Sequence, residues 1–273
     1  MKDKVLDLNS VRRNHRDPGE APRPVISAKG VSKKFSRELK QSMLYGSSDL
    51  LSSFAGRMPK TFMLRSGEFW ALDDISLECA KGRVLGVVGP NGSGKTTLLR
   101  VLAGIYPPDK GEVRVKGRVA TINSYGAGFH PHMSGLDNIY LNGAVLGMSA
   151  EEIDSKLESI VSFSGVGEFL HSPVAAFSSG MKVRLGFSIA ISLEPDVLLL
   201  DEVLAVGDTA FRKKCYGEIE KIAERAAVIF VSNKMSNIEK VCTDIMVLEK
   251  GRVAFAGNHV SEGIEFYDEM ASQ

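Results

Sequence analysis

Three short stretches of this chain are apolar without interruption. Val84-Leu85-Gly86-Val87-Val88, Val197-Leu198-Leu199-Leu200 and Val228-Ile229-Phe230-Val231 carry no polar side chain. Runs of that length without alternation predict strands buried on both faces, as in a parallel sheet. Residues 25–35 alternate enough to predict a first strand, and residues 69–79 return to strand character after an interruption. Residues 112–115 and 118–122 predict short strands around Gly117. Residues 245–248 and 253–256 flank Lys250-Gly251, a hairpin signal. Residues 97–103 predict a helix, and the chain after Ile105 cannot continue one because of Pro107 and Pro108. Residues 134–176 read as all-helical. Ser134 with Asp137, and Ser149 with Glu152, fit helix-start capping boxes, and Ile153, Leu157, Ile160 and Val161 form a stripe at helical spacing. An apolar helix over 181–193 closes at Pro195. Residues 37–66 break the rhythm. Leu39, Met43 and Leu44, then Leu50, Leu51 and Phe54, have helical spacing among Arg37, Lys40, Arg57, Lys60 and Arg65. Strands and helices in this order predict an α/β fold, and no internal repeat is present.

Composition narrows the function only modestly. A length of 273 residues suits one large domain or two small ones. A net charge of +1 gives no support to nucleic-acid binding, which usually shows a basic excess. No run of 18 apolar residues predicts a membrane span. Residues 1–24 are charged, carry Pro18, Pro22 and Pro24, and lack the apolar core of a secretory signal, so a flexible arm is expected. Cys79, Cys215 and Cys242 have no metal-binding spacing and read as free thiols. His130 and His132, separated by a proline and without a third ligand, read as loop residues rather than metal ligands.

The chemistry enters right after the first apolar run. Gly89-Pro90-Asn91-Gly92-Ser93-Gly94-Lys95-Thr96 reads G-x-x-x-x-G-K-T, a phosphate-binding loop between a predicted strand and a predicted helix. Glycines let successive N–H groups turn inward around a phosphate chain, and the helix start adds its positive dipole end. Lys95 offers a charge to the outer phosphates, Thr96 offers a hydroxyl to Mg²⁺, and Thr97 extends the candidate contacts. The second apolar run ends in Asp201-Glu202. Behind a phosphate loop, Asp201 is a candidate Mg²⁺ ligand and Glu202 a candidate base for the attacking water. Between these motifs, Ser178-Ser179-Gly180-Met181 opens an apolar helix, a place suited to an anion.

In this order the motifs resemble those of the ATP-binding-cassette ATPases, over about residues 25–257. Ser178, Ser179, Gly180 and Met181 are similar to the family's L-S-G-G-Q-type signature, with Ser for the first Gly and Met for the Gln. The resemblance implies a phosphate-loop cassette with a mostly parallel core sheet, an antiparallel β-lobe and a helical lobe at 134–193, followed by a short tail at 258–273. It implies ATP and Mg²⁺ as ligands and a head-to-tail homodimer. Each ATP would lie between the phosphate loop of one subunit and the signature helix of the other. Phe35 falls where an aromatic residue stacks on adenine, with Trp70 as second candidate, and Asp208 falls in a loop that crosses the dimer interface. Two positions depart from the family pattern. The segment starting at Asn123 lacks the usual Gln, and the usual His after Val-Ser is Asn233. An Asn amide can hydrogen-bond a γ-phosphate but carries no titrating proton, so slower hydrolysis with retained ATP binding is expected.

Longer words resemble one branch of the family. Tyr125-Gly126-Ala127-Gly128-Phe129-His130-Pro131, Asp137-Asn138-Ile139-Tyr140-Leu141-Asn142-Gly143 and Asp201-Glu202-Val203-Leu204-Ala205-Val206-Gly207-Asp208 are similar to the ATPase subunits of O-antigen, capsule and teichoic acid exporters. That likeness implies a peripheral protein on the cytoplasmic face of a bacterial inner membrane. Its expected partner is a separate permease touching 123–145 and the basic insert 37–66, and its expected cargo is a lipid-linked polysaccharide. With only the tail after the last strand, an appended carbohydrate-binding domain is not expected. Two alternatives remain open on the sequence: an ATP clamp with weak hydrolysis, and a soluble cassette protein outside transport.

Overall fold

The computed structural model describes residues 24–38, 40, 43, 45–46, 63–123, 128–201 and 209–272. In chain order the elements are β1 (Ile26–Ser36), β2 (Glu68–Cys79), β3 (Val84–Val88), α1 (Lys95–Leu102), β4 (Lys110–Val115), β5 (Val119–Asn123), α2 (Gly135–Val145), α3 (Ala150–Ser164), 3₁₀ turns at Gly167–Phe169 and Val174–Ala176, α4 (Ser179–Ser192), β6 (Val197–Asp201), α5 (Thr209–Ala223), β7 (Ala227–Val231), α6 (Met235–Val241), β8 (Asp244–Glu249), β9 (Arg252–Gly257) and α7 (Val260–Ala271). The strands form two sheets. The larger has order β5-β6-β7-β3-β8-β9 and the smaller β2-β1-β4. Pairing is parallel from β5 through β8 and antiparallel at the β8–β9 hairpin and throughout the small sheet.

The uninterrupted apolar runs explain the layering. Because side chains alternate across a strand, each run supplies two cores. Val84, Val88, Leu198, Leu200, Val228 and Phe230 face one side, where α4 and α5 cover them with Leu185, Phe187, Ile189, Phe211 and Ile219. Leu85, Val87, Leu199, Ile229 and Val231 face the other, against Leu98, Leu99, Val101 and Leu102 of α1 and Ile26, Val31, Leu72 and Ile75 of the small sheet. Helix α1 is thus clamped between the two sheets, and this fixes the loop that precedes it.

The helical region differs from its sequence expectation in two ways. Residues 165–178 are not α-helix; after the left-handed Gly165 the chain runs through the two 3₁₀ turns. Ser134 makes a full capping box with Asp137, whereas Ser149 caps only one way. Its Oγ accepts from the Glu152 N–H at 3.2 Å, but the Glu152 carboxylate is drawn to Arg118 at 2.8 and 3.0 Å. A charged partner outcompetes the backbone amide. The three thiols are free; burial pushes Cys79 and Cys215 up to about 12, and burial beside Asp244 raises Cys242 as well.

Candidate functional site

Gly89-to-Thr96 leaves β3 as a tight loop that bends into α1. Gly92 and Gly94 adopt φ of 80° and 107°. A methyl group on Gly94 would lie 2.5 Å from the Ala71 carbonyl oxygen, and one on Gly89 would lie 2.2 Å from that of Leu248. At Gly92 the space outside is open, with no atom within 4 Å. The loop therefore has a packed inner wall and an open mouth. Ser93 N–H bonds the Pro90 carbonyl at 3.1 Å, and the Gly251 N–H bonds the Ser93 carbonyl at 3.0 Å. Lys95, only 7% exposed, folds its ammonium over the loop and donates to the Gly89 and Pro90 carbonyls at 2.7 and 3.0 Å. Asn91 and Thr96 are exposed, and Thr97 is half-buried.

The parallel sheet brings distant residues to this loop. Val87 pairs with Val231, Val231 with Asp201, and Asp201 with Asn123. The C-terminal ends of β3, β7, β6 and β5 therefore share one edge, and Asp201 stands about two interstrand spacings, ~10 Å, from the base of the loop. Ser232 and Asn233 leave β7 between them; Ser232 is buried and accepts from the Lys234 N–H at 3.1 Å, while Asn233 is exposed. Ligand sites of open α/β sheets lie at this carboxyl edge. Glu202 and Asp208 fall outside the described residues, as does the Tyr125-Gly126-Ala127 stretch.

The remaining predicted residues lie elsewhere in the fold. Phe35, half-buried near the end of β1, packs edge-on against Tyr106 at 5.5 Å and beside Phe69 at 6.5 Å, with the Lys33 ammonium 5.8 Å from its ring. Trp70 is covered by the Lys110 ammonium at 4.6 Å. Ser178 is the N-cap of α4, its Oγ accepting from the Met181 N–H at 3.2 Å. Ser178 and Ser179 are exposed, and Gly180 and Met181 half-buried. The N-terminal residues of α4 are thus accessible at the surface.

The family profile described as "ABC transporter" matches residues 72–205. The chain is 39% identical over 237 residues to the O-antigen export system ATP-binding protein RfbB of Klebsiella pneumoniae, covering 86% of this chain and 94% of that protein. It is 34% identical over 246 residues to the teichoic acids export ATP-binding protein TagH of Listeria monocytogenes, covering 90% of this chain and 70% of that protein. The chain belongs to the ABC transporter family. Its fold agrees with that of a dimeric ATP-binding cassette solved in a post-hydrolysis state with ADP and Pi, at a TM-score of 0.68 over 85% of this chain and 98% of that one, with 18% identity. It is an α/β cassette of the ATPase kind, as the sequence motifs predict.

The residues present fit ATP and Mg²⁺. Ser93 Oγ, 2% exposed, has no hydrogen-bond partner among the described residues, so the cassette holds a buried hydroxyl at the loop with capacity to spare. The Thr96 hydroxyl and the Asp201 carboxylate are oxygens of the hard kind that Mg²⁺ prefers. Sequence reasoning missed Tyr106 beside Phe35 and the part played by Asn138. The signal for Asn138 was available: it lies on the stripe Gly135, Asn138, Ile139 and Gly143 that α2 buries.

Proposed function

We propose that this chain is the ATP-hydrolysing subunit of an exporter of lipid-linked polysaccharide, acting as a homodimer beside a separate permease on the cytoplasmic face of the membrane. One observation carries the catalytic part: four parallel strands deliver the phosphate loop, Asn233, Asp201 and the Asn123 segment to one sheet edge. The loop amides and Lys95 bind the phosphate chain, and Lys95 exchanges its carbonyl partners for phosphate oxygens. Thr96 and Asp201 would hold Mg²⁺, which when bound supplies neutralising charge at the outer phosphates. Glu202, next after Asp201, takes the proton from the attacking water, and Asn233 donates its amide to the γ-phosphate. Catalysis is then mainly positioning and charge stabilisation. Phe35 serves adenine. Ser178, Ser179, Gly180 and Met181 of one subunit close over the nucleotide of the other, with Asp208 crossing between them. Residues 25–257 form the cassette, 1–24 an arm and 258–273 a tail.

The export reading rests on relatives named for O-antigen and teichoic acid export. Surface features favour a membrane partner. Val145 is 77% exposed and Leu141 37% on α2, and Met43 and Met63, within the basic insert, are 69% and 72% exposed. No helix among the described residues is long and apolar enough to cross a membrane, so transport on this reading needs another protein. Asn233 favours a second reading, an ATP clamp that hydrolyses weakly. Steady-state MgATP turnover of the chain, Glu202→Gln and Asn233→His separates them. Turnover abolished by Glu202→Gln supports the hydrolase; turnover seen only in Asn233→His supports the clamp. Loss of surface polysaccharide in cells carrying Lys95→Ala tests the cargo, and unchanged polysaccharide would remove the export reading.

A further inference from the structure

Two chain segments run side by side between the sheet edge and the cap of α4. Residues 130–136 and 170–175 are joined by four backbone hydrogen bonds. Ala175 N–H bonds Pro131 O at 2.8 Å, Val174 N–H bonds Met133 O at 2.9 Å, Gly135 N–H bonds Ser172 O at 3.1 Å, and Leu136 N–H bonds Leu170 O at 2.9 Å. Ser134 and Pro173 form an isolated bridge within this ladder. Asn138 pins the first segment from below. It is 0% exposed, its side-chain oxygen accepts from His130 N–H at 2.7 Å, and its amide nitrogen faces the carbonyls of His130, Met133 and Ser134 at 3.0, 3.2 and 2.8 Å. One turn on, Asn142 donates to the Asn138 carbonyl at 2.9 Å. A buried amide satisfied at both ends by one loop fixes that loop's shape.

The ladder leads to the signature helix. Phe177, 4% exposed, abuts Gly135, where a methyl group would lie 2.9 Å from Phe177 Cζ and 3.0 Å from the Leu170 carbonyl oxygen. Phe177 directly precedes Ser178, the N-cap of α4. At the opposite end, His130, Pro131 and His132 form an exposed turn. We infer that the two segments act as one stiff lever, with Asn138 as its positioning residue, so that displacement of the 130–132 turn is delivered to Ser178. Close-packed, hydrogen-bonded segments transmit strain rather than absorb it. The inference rests on the proposed function for what stands at its ends: the permease at the turn, and the other subunit's nucleotide at Ser178.

Amide hydrogen exchange on the nucleotide-free full chain tests the lever without any catalysis. Two variants probe it: Asn138→Ala, which cuts the pin, and Gly135→Ala, whose methyl crowds Phe177 and the Leu170 carbonyl while deleting no donor or acceptor. Both are expected to speed exchange at 130–136 and at 172–181 together, and to leave β3 and α1 unchanged. Affinity for a fluorescent ATP analogue stays at the wild-type value, because the phosphate loop is not part of the lever. Turnover number falls ~10- to 100-fold, the scale of a misplaced catalytic element. Ile160→Val, a core truncation in α3 outside the ladder, keeps the wild-type turnover number. Faster exchange confined to 130–136 overturns the lever, and so does coupled exchange with wild-type turnover. Ser178→Arg reports on the reading beneath it: wild-type turnover in that variant removes the shared nucleotide site, and with it the delivery of motion to one.

Discussion

Gly94 can hold no side chain. Its φ of 107° is left-handed territory, and a methyl group would sit 2.5 Å from the Ala71 carbonyl oxygen of β2. Gly94→Ala is expected to cost about 1–3 kcal/mol in chemical denaturation, the usual price of such backbone strain, and to abolish ATP binding because the loop mouth shifts. An unchanged denaturation midpoint would show that the close approach is relieved by movement of β2. Asn233 makes the opposite case, a residue whose change should add function. Asn233→His introduces a titrating group at the sheet edge, two residues after the Val231 that pairs with Asp201. Turnover is expected to rise and to acquire a pH dependence near the ordinary imidazole value of ~6.5. A pH profile identical to that of the native chain would remove Asn233 from the list of residues that touch the γ-phosphate. Individual residues of the phosphate loop were legible in the sequence because binding phosphate demands fixed types at fixed spacing. The orphaned Ser93 hydroxyl, the curled Lys95 and the Phe35–Tyr106 contact were not, because each depends on chain brought from elsewhere.

The elements were legible where one local signal sufficed. Apolar runs gave β3, β6 and β7, and Lys250-Gly251 gave the β8–β9 hairpin. Helix α5 was not predicted, although Phe211, Cys215, Tyr216, Ile219 and Ile222 carry the helical stripe that it buries. The short α6, with only Ile238 and Val241 buried, offers too little period to be read. Residues 165–176, expected to be helical, are not α-helix, and 170–175 instead form the ladder to 130–136, a contact between segments far apart in sequence. Helix α3 shows how an element is docked by charge. Arg118, just before β5, grips Glu152 with both terminal guanidinium nitrogens, and Lys156 reaches Glu194 at 3.2 Å and the Ser192 carbonyl at 2.7 Å. The Arg118 hydrogen bonds lower the Glu152 pKa from its ordinary 4.5, and Lys156 lowers that of Glu194. A carboxylate with a depressed folded-state pKa stabilises the fold above its unfolded value and loses that contribution as pH falls through the folded value. Glu152→Gln is therefore expected to be less stable than the native chain at neutral pH, with the gap closing only below pH 4.5. Denaturation midpoints of the two proteins across that range measure it, and a gap independent of pH would assign the loss to packing instead.

For the whole molecule, the sheet edge that carries the phosphate loop and the exposed first turn of α4 belong to different parts of one cassette. The phosphate loop joins β3 to α1, while Ser178 is the exposed N-cap of α4. A sequence can display both motifs without saying whether they meet within one chain. The proposed meeting of the two across a homodimer makes a prediction that no intramolecular site can imitate. Lys95→Ala removes the phosphate-binding charge, and Ser178→Arg blocks the outward turn; each homodimer is expected to be inactive, since both of its sites carry the lesion. In a mixed dimer the two lesions fall together on one site. The other site joins the intact loop of the Ser178→Arg subunit to the intact signature of the Lys95→Ala subunit. Equal mixing leaves half the dimers mixed, each with one good site, so turnover should recover to about a quarter of the wild-type value if the sites act independently. Recovery near zero with dimers demonstrably exchanged would mean that both sites must fire together. Full activity in Ser178→Arg alone would mean that α4 of the neighbour never reaches the nucleotide, and the cassette would then have to hydrolyse ATP, if at all, as a single subunit.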